Sequence, residues 1–240
     1  SAASDVYKRQ GESRVDDIFS EEMNAMQNPT MAPYAKECDC LLQITAKAES
    51  EEKAEEMIKP VMEHVCERLG EYVYGIDVEC VEERVIQLLR EKNMRFAAAE
   101  SCTGGLIAKR LTDVPGASQI FLGGVVSYTN EVKNHVLGVP ASLLEAYGAV
   151  SAPVARAMAV GVRVLTGSDL SLSVTGLAGP GGDDRGTPVG TVFTALSAPE
   201  GVFVRRLTLG GSRERIRVLS AHHAFDLLRR YLTDQMTEGE

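Results

Sequence analysis

FAAAESCTGGLIAKR, residues 96–110, breaks a short apolar run at Glu100-Ser101-Cys102-Thr103, passes two glycines and resumes as an apolar helix. The pattern predicts a strand, a tight turn and a helix start. Such a turn gathers a hydroxyl, a thiol, a second hydroxyl and several backbone N–H groups at one point. That is what holding an anion or a developing oxyanion requires. The same residues also suffice for an ordinary helix cap, with Ser101 and Thr103 capping and the glycines permitting the turn.

Working outward, Val78 to Lys92 reads as a helix with Val81, Val85, Leu88 and Leu89 on one face, leading into the Phe96 strand. Downstream, Pro115-Gly116 turns the chain into a second strand, Ile120 to Tyr128. Helices follow at Asn130 to Leu137, Ala141 to Tyr147 and Pro153 to Leu165, the last with proline in its tolerated first turn. Leu170 to Thr175 is a third strand and 176–186 a glycine-rich connection. Gly190 to Ser197 and Val202 to Leu209 form a hairpin, and a closing helix runs from Arg213 to Leu232. Alternating strands and helices with a terminal hairpin predict an α/β fold, a three-layer sandwich around a mixed, mostly parallel sheet.

Upstream, residues 11–76 read as a small α+β (β-α-β) domain. Its parts are a helix from Gly11 to Met26, an extended or irregular segment from Thr30 to Cys38, a strand from Cys40 to Ala48, a helix from Ser50 to Leu69 and a strand from Glu71 to Gly75. Ser50 and the glutamates after it suit a helix start, and Pro60 is expected to kink or divide that helix. Residues 1–10 show no periodicity connected with the helix after them and are read as an unassigned tail. The larger domain is expected to span 77–240.

Composition limits the function. The 240 residues are 44% hydrophobic, enough for a substantial core. No apolar run reaches the roughly 18 to 20 residues of a membrane span, and no basic region precedes an apolar one at the start, so no membrane partner and a cytoplasmic location are expected. Residues 1–95 hold 21 Asp and Glu against 12 Lys and Arg, whereas 96–240 hold 13 against 13. The acidic first part argues against a nucleic-acid partner. The five cysteines, 38, 40, 66, 80 and 102, lack paired CxxC spacing, so reduced thiols and no metal are expected.

Ligands of such sheets sit at the carboxyl ends of strands. Three strand exits are rich in polar residues: Glu100 to Thr103; Ser127 to Asn130 with Lys133; and Thr175-Gly176 with the glycines after it. Ser101 is a candidate nucleophile needing a base about 3 Å away. No histidine lies at a strand exit, so a Ser-His-Asp triad is not expected. Lys109 sits about 12 Å up the helix that follows Ser101 and points away. Lys133, one turn into its own helix, can face the cleft, with Tyr128 supplying a further hydroxyl. Cys102 is the rival nucleophile, since a thiolate near a helix N-terminus is activated by the dipole.

AAAESCTGGLIAKRLTDVPGAS, FLGGVVSYTNEVKNHVLGV, GAVSAPVA, VTGLAGPGG and PVGTVF, in series, closely resemble the C-terminal domain of the CinA family over about residues 78–232. The resemblance implies a nicotinamide-nucleotide amidase, a pyridine-nucleotide salvage enzyme hydrolysing the carboxamide of nicotinamide mononucleotide. It implies Ser101 as nucleophile of a covalent acyl-enzyme, with Tyr128 and Lys133 activating it. Thr103, Gly104 and Gly105 would line the oxyanion pocket. Asn130, Thr175, Gly176, Ala178 and Gly179 would border the nucleotide, and Arg215 would meet its phosphate. No metal or cofactor is required, and a homo-oligomer is expected from the family. Residues 11–75 resemble the middle domain of longer CinA proteins, whose molybdopterin-binding-like domain has no counterpart here, so its pyrophosphatase activity is not carried over. The alternative is a non-catalytic, competence- or damage-inducible nucleotide-binding protein.

Overall fold

The computed structural model describes residues 2–8, 12–36 and 38–236. The chain forms two compact units, residues 1–84 and 85–240, dividing inside the helix Val81–Glu91; the sequence expectation placed the division at 76/77. Among the described residues no helix is long and apolar enough to cross a membrane.

In the first unit, strands β1 (Ala2–Lys8), β2 (Thr30–Ala35), β3 (Cys40–Ala46) and β4 (Val73–Ile76) form an antiparallel sheet in the order β2-β3-β1-β4. Helices α1 (Glu12–Ala25) and α2 (Glu51–Leu69) complete it. The reading of residues 1–10 as a tail outside the fold is corrected for residues 2–8, which form an inner strand paired with both β3 and β4; residues 1, 9 and 10 lie outside the described residues. AASDVYK shows no clean alternation in sequence, and its backbone is laddered on both sides. Pro33 lies in β2, an edge strand, where a missing N–H is tolerated. Ser50 Oγ accepts the Lys53 N–H at 3.2 Å and starts α2 as expected. The expected break at Pro60 does not occur: α2 is one helix through it. Pro60 and Glu56, whose carbonyl loses its partner, are both exposed, so water can take that bond. Val15, Phe19, Leu42, Ile44, Ala54, Ile58 and Val65 form this unit's core.

After α3 (Val81–Glu91), the second unit is built on β5 (Phe96–Glu100), β6 (Phe121–Val126), β7 (Leu170–Gly176), β8 (Thr191–Ala198) and β9 (Gly201–Thr208), in the order β6-β5-β7-β8-β9. β5 is parallel to both neighbours, and the β8–β9 hairpin adds to β7 antiparallel. Only β8 therefore opposes the common strand direction. α7 (Ala152–Thr166) covers one face, where Ala97, Ala99, Val154, Met158 and Val162 pack together. α4 (Leu106–Thr112) and α8 (Arg213–Leu232) pack on each other and cover the other face. The short helices α5 (Asn130–His135) and α6 (Ala141–Tyr147) connect β6 to α7.

Two local devices hold these layers. Ser171 and Ser173, both fully buried, donate their hydroxyls to the Ala159 and Ala155 carbonyls of α7, each at 2.6 Å. α8 is buried nearly all round and keeps Asp226 beside Arg229 at 2.9 Å and Arg205 at 3.4 Å. The parallel trio β6-β5-β7 ends at Val126, Glu100 and Gly176, which brings the three polar exits side by side.

Candidate active site

The turn after β5 is framed from both sides. Glu100, the last residue of β5, is 1% exposed, and its carboxylate accepts N–H bonds from Gly105 (2.9 Å), Ile107 (3.0 Å) and Ala108 (2.9 Å). A carboxylate at the start of α4 also complements the helix dipole. Gly104 and Gly105 lie at φ +59° and +95°, the left-handed region in which glycine is favoured, and they let the chain wrap round that carboxylate. From α8, Arg217 donates through Nε to the Cys102 carbonyl at 3.0 Å and through Nη2 to the Thr103 carbonyl at 2.8 Å. Ser101 N–H bonds Val174 of β7, and Ser127 N–H bonds Glu100, so neighbouring exits are tied to the turn.

Ser101, 9% exposed, meets Lys133, 1% exposed, as the spacing predicted. The Lys133 ammonium donates to Ser101 Oγ at 3.0 Å and to the Ser127 carbonyl at 2.7 Å. Thr129 caps α5, its Oγ1 accepting the Val132 N–H at 3.4 Å, which sets the helical phase that turns Lys133 inward. Burial pushes the Lys133 amine down from 10.5 to about 8. Burial also pushes the Cys102 thiol up to about 11, outweighing the nearby cations. The rival nucleophile is therefore a protonated thiol near neutral pH, and the dipole argument for it fails on desolvation. Lys109 points away as expected, paired with Asp113 at 2.7 Å, and His135 is exposed.

A cavity of about 230 Å³ opens onto this pair. Tyr128, Asn130, Thr175, Gly176, Ala178 and Gly179, all expected at the site, line it together with Ser101 and Lys133. Thr175 is oriented by donating its hydroxyl to Ala149 O at 2.8 Å. Three expectations change. Tyr128 is bonded to neither Ser101 nor Lys133; its hydroxyl accepts from Arg213 Nη2 at 2.9 Å. Thr103, Gly104 and Gly105 lie outside the lining, and the Gly104 and Gly105 N–H groups are engaged by Ser101 O and Glu100. Arg215 is exposed away from the cavity, whereas Arg213, two residues earlier, lines it and also donates to Gly179 O.

The reason lies in the cap: Ser212 Oγ accepts the Arg215 N–H at 3.2 Å, making Ser212 the N-cap and Arg213 the first helical residue, turned to the cavity mouth. That serine, read as a cap, could have identified Arg213. Glu100 was equally available as an acidic residue just ahead of a helix start, whereas nothing in the sequence marks Arg217. The glycine-rich segment is pinned toward its C-terminal end. Asp183 accepts the Arg185 and Thr187 N–H groups at 3.0 and 2.8 Å, and Arg185 donates to the Glu145 and Ala146 carbonyls at the end of α6. Around the turn, the N–H groups of Gly104 through Ala108 have acceptors, and the Cys102 thiol is set against its own backbone N–H. A buried amine beside a hydroxyl at a strand exit is the pairing that nucleophilic acyl transfer can use.

Residues 78–232 match the family model of the CinA C-terminal domain, and residues 10–75 match that of the damage-inducible protein CinA KH domain. A CinA-like protein of Desulfovibrio desulfuricans is 50% identical over 215 residues, covering 88% of this chain and 51% of the relative. The chain spans about half the length of the curated relatives it matches. Among solved structures, a competence-damaged protein (CinA) superfamily protein from Klebsiella pneumoniae superposes with a TM-score of 0.63 at 32% identity, over 64% of this chain and 96% of that one. A competence/damage inducible protein from Agrobacterium tumefaciens does so with a TM-score of 0.61 at 37% identity, over 64% and 93%. Sequence, fold and structural neighbours agree, and the chain belongs to the CinA family.

Proposed function

We propose that this chain is a serine amidohydrolase that converts nicotinamide mononucleotide to nicotinate mononucleotide and ammonia. The observation that carries the reading is the buried Lys133 amine 3.0 Å from Ser101 Oγ with its pKa drawn down to about 8. At pH 7 about a tenth of such an amine is neutral and able to take a proton. Neutral Lys133 keeps one N–H on Ser127 O and receives the Ser101 proton as Oγ attacks the carboxamide carbon. Cys102, the residue after the nucleophile and part of the cavity lining, offers its N–H to the oxyanion of the tetrahedral adduct. Lys133 then returns the proton to the departing nitrogen, which leaves as ammonia. Water, deprotonated by the same amine, splits the acyl-enzyme. Tyr128 acts through Arg213, which it orients, rather than on Ser101.

Charge supports an anionic substrate. The cavity lining contains no carboxylate, and its two cations are Lys133 at the floor and Arg213 at the mouth. Guanidinium geometry suits a phosphate, which would replace Tyr128 and Gly179 as the partner of Arg213. Incubation with nicotinamide mononucleotide should release ammonia and nicotinate mononucleotide, with Ser101→Ala inactive and Cys102→Ala active. Tight binding of nicotinate mononucleotide without any ammonia release would overturn the enzyme reading in favour of a nucleotide-binding protein.

A further inference from the structure

We infer that Thr175 is a specificity-determining residue of this site: it meets the substrate as a hydrogen-bond acceptor only, and so selects a carboxamide, by its NH2, over the carboxylate left after hydrolysis. The inference rests on the amidohydrolase reading above.

Register brings Thr175 to the nucleophile. Glu100 pairs with Val174 across the parallel strands β5 and β7, and the Ser101 N–H donates to Val174 O at 2.9 Å, so Ser101 and Thr175 are the next residues of the two strands. Both line the cavity. Lys133 reaches Ser101 from the other neighbour of β5, through the carbonyl of Ser127 just beyond the end of β6. A carbon attacked by Ser101 is therefore flanked by a carrier of protons on the β6 side and by Thr175 on the β7 side.

What Thr175 offers a ligand follows from where its proton goes. Ser171, Ser173 and Thr175 share one face of β7, and each hydroxyl donates to a carbonyl. The acceptors are Ala159 and Ala155 of α7, each at 2.6 Å, and Ala149, ahead of α7, at 2.8 Å. A carbonyl can only accept, and a threonine hydroxyl has a single proton. Thr175 is 1% exposed, so bulk water does not compete for that proton; Ala149 lines the cavity too, which sets the bond in the cavity wall. Oγ1 has only lone pairs left for a ligand. The arginine and the protonated amine of the lining, Arg213 and Lys133, donate without accepting. An amide nitrogen, with two N–H groups, matches Thr175. A carboxylate oxygen there sets lone pair against lone pair, and a methyl in its place leaves the acceptor unpaired. In the tetrahedral adduct the same contact takes an N–H of the departing nitrogen and leaves that atom's lone pair for the proton on Lys133.

The test measures binding by calorimetry at pH 7 in a Ser101→Ala background, where nothing turns over, for three mononucleotides: those of nicotinamide, of 3-acetylpyridine, whose methyl replaces the NH2, and of nicotinate. With Thr175 present, the amide should bind about 3- to 10-fold tighter than the ketone, the effect of one neutral hydrogen bond. Thr175→Val, of the same shape, should weaken the amide by that factor and leave the ketone within about twofold. Nicotinate mononucleotide should bind the valine variant no less tightly, since the attraction of its carboxylate to Lys133 is common to both proteins. Thr175→Ser should keep the preference for the amide. Equal losses for all three ligands in the valine variant, or a preference that survives it, would overturn the role of Thr175. Should the valine protein not fold, the protein with Thr175 decides alone, and equal affinity for amide and ketone would overturn the role. Ammonia release by the wild type is scored separately, and its absence overturns the amidohydrolase reading whatever the affinities. Binding of none of the three ligands would overturn both.

Discussion

Replacing Lys133 by methionine should remove activity without removing stability, and the pH dependence of the difference tests the site's electrostatics. Burial holds the amine at about 8 in the fold against 10.5 in the unfolded chain, a difference worth on the order of 3 kcal/mol. Because the folded value is the lower one, the unfolded chain binds more protons between pH 8 and 10.5, and wild-type stability rises with pH through that window. Below pH 8 the whole penalty of burying the ammonium is present. By pH 10 all but about 1 kcal/mol of it has been recovered. Methionine of similar length removes the penalty but leaves Ser127 O without its donor, a cost of about 1–3 kcal/mol. The variant should therefore be as stable as wild type at pH 7, or up to about 2 kcal/mol more stable, and at pH 10 should range from equal to about 2 kcal/mol less stable. Urea unfolding of both proteins by circular dichroism across pH 7 to 10 measures this, since groups common to both cancel in the difference. A difference constant to about 0.5 kcal/mol over that range would show that Lys133 is not the low-pKa base of the site.

The rate should carry the same signature: kcat/KM for ammonia release should rise about tenfold per pH unit below 8 and level above it, and a profile flat from pH 6 to 9 would refute Lys133 as base. Glu100→Gln, which cannot accept three N–H bonds as a carboxylate does, should cost about 2–4 kcal/mol in urea unfolding and lower kcat through the displaced turn; a loss under 0.5 kcal/mol would contradict the framing role. Arg213→Ala should raise KM for nicotinamide mononucleotide by about tenfold or more while leaving nicotinamide riboside turnover within about twofold. Equal effects on both would mean that Arg213 does not meet the phosphate.

The alternation of strands and helices from Phe96 to Leu232 was legible because each element there carries its own period, and β5, with every residue buried, reads as the apolar run of a central parallel strand. Ser101 and Lys133 could be paired by arguing only about strand exits and helical phase. Where the reading erred, tertiary partners decided. Gly104 and Gly105 read as free amides in the sequence, yet the Gly104 N–H goes to Ser101 O and the Gly105 N–H to the Glu100 carboxylate, which the acid's place just ahead of a helix start could have signalled. Arg215 was chosen over Arg213 because a cluster of three arginines has no visible phase until Ser212 is recognised as its cap. Ser171 and Ser173 alternate with leucines as if half exposed, yet both spend their hydroxyls on a helix backbone. Residues 2–8 were set aside for lack of a face, although a strand paired on both sides needs none.

The fork of Arg217 also has a consequence in time. Chains fold as they are made, at about 5–20 residues per second. Ser101 and Lys133 are 32 residues apart and emerge within seconds of each other, but Arg217 follows Cys102 by 115 residues, a lag of roughly 6 to 23 s. During that interval the nascent chain holds both Ser101 and Lys133 yet lacks the guanidinium that grips the Cys102 and Thr103 carbonyls. The final geometry of the turn is thereby deferred until α8 docks, and a message interrupted after the β8–β9 hairpin yields a product carrying Ser101 and Lys133 without the side chain that grips the turn between them.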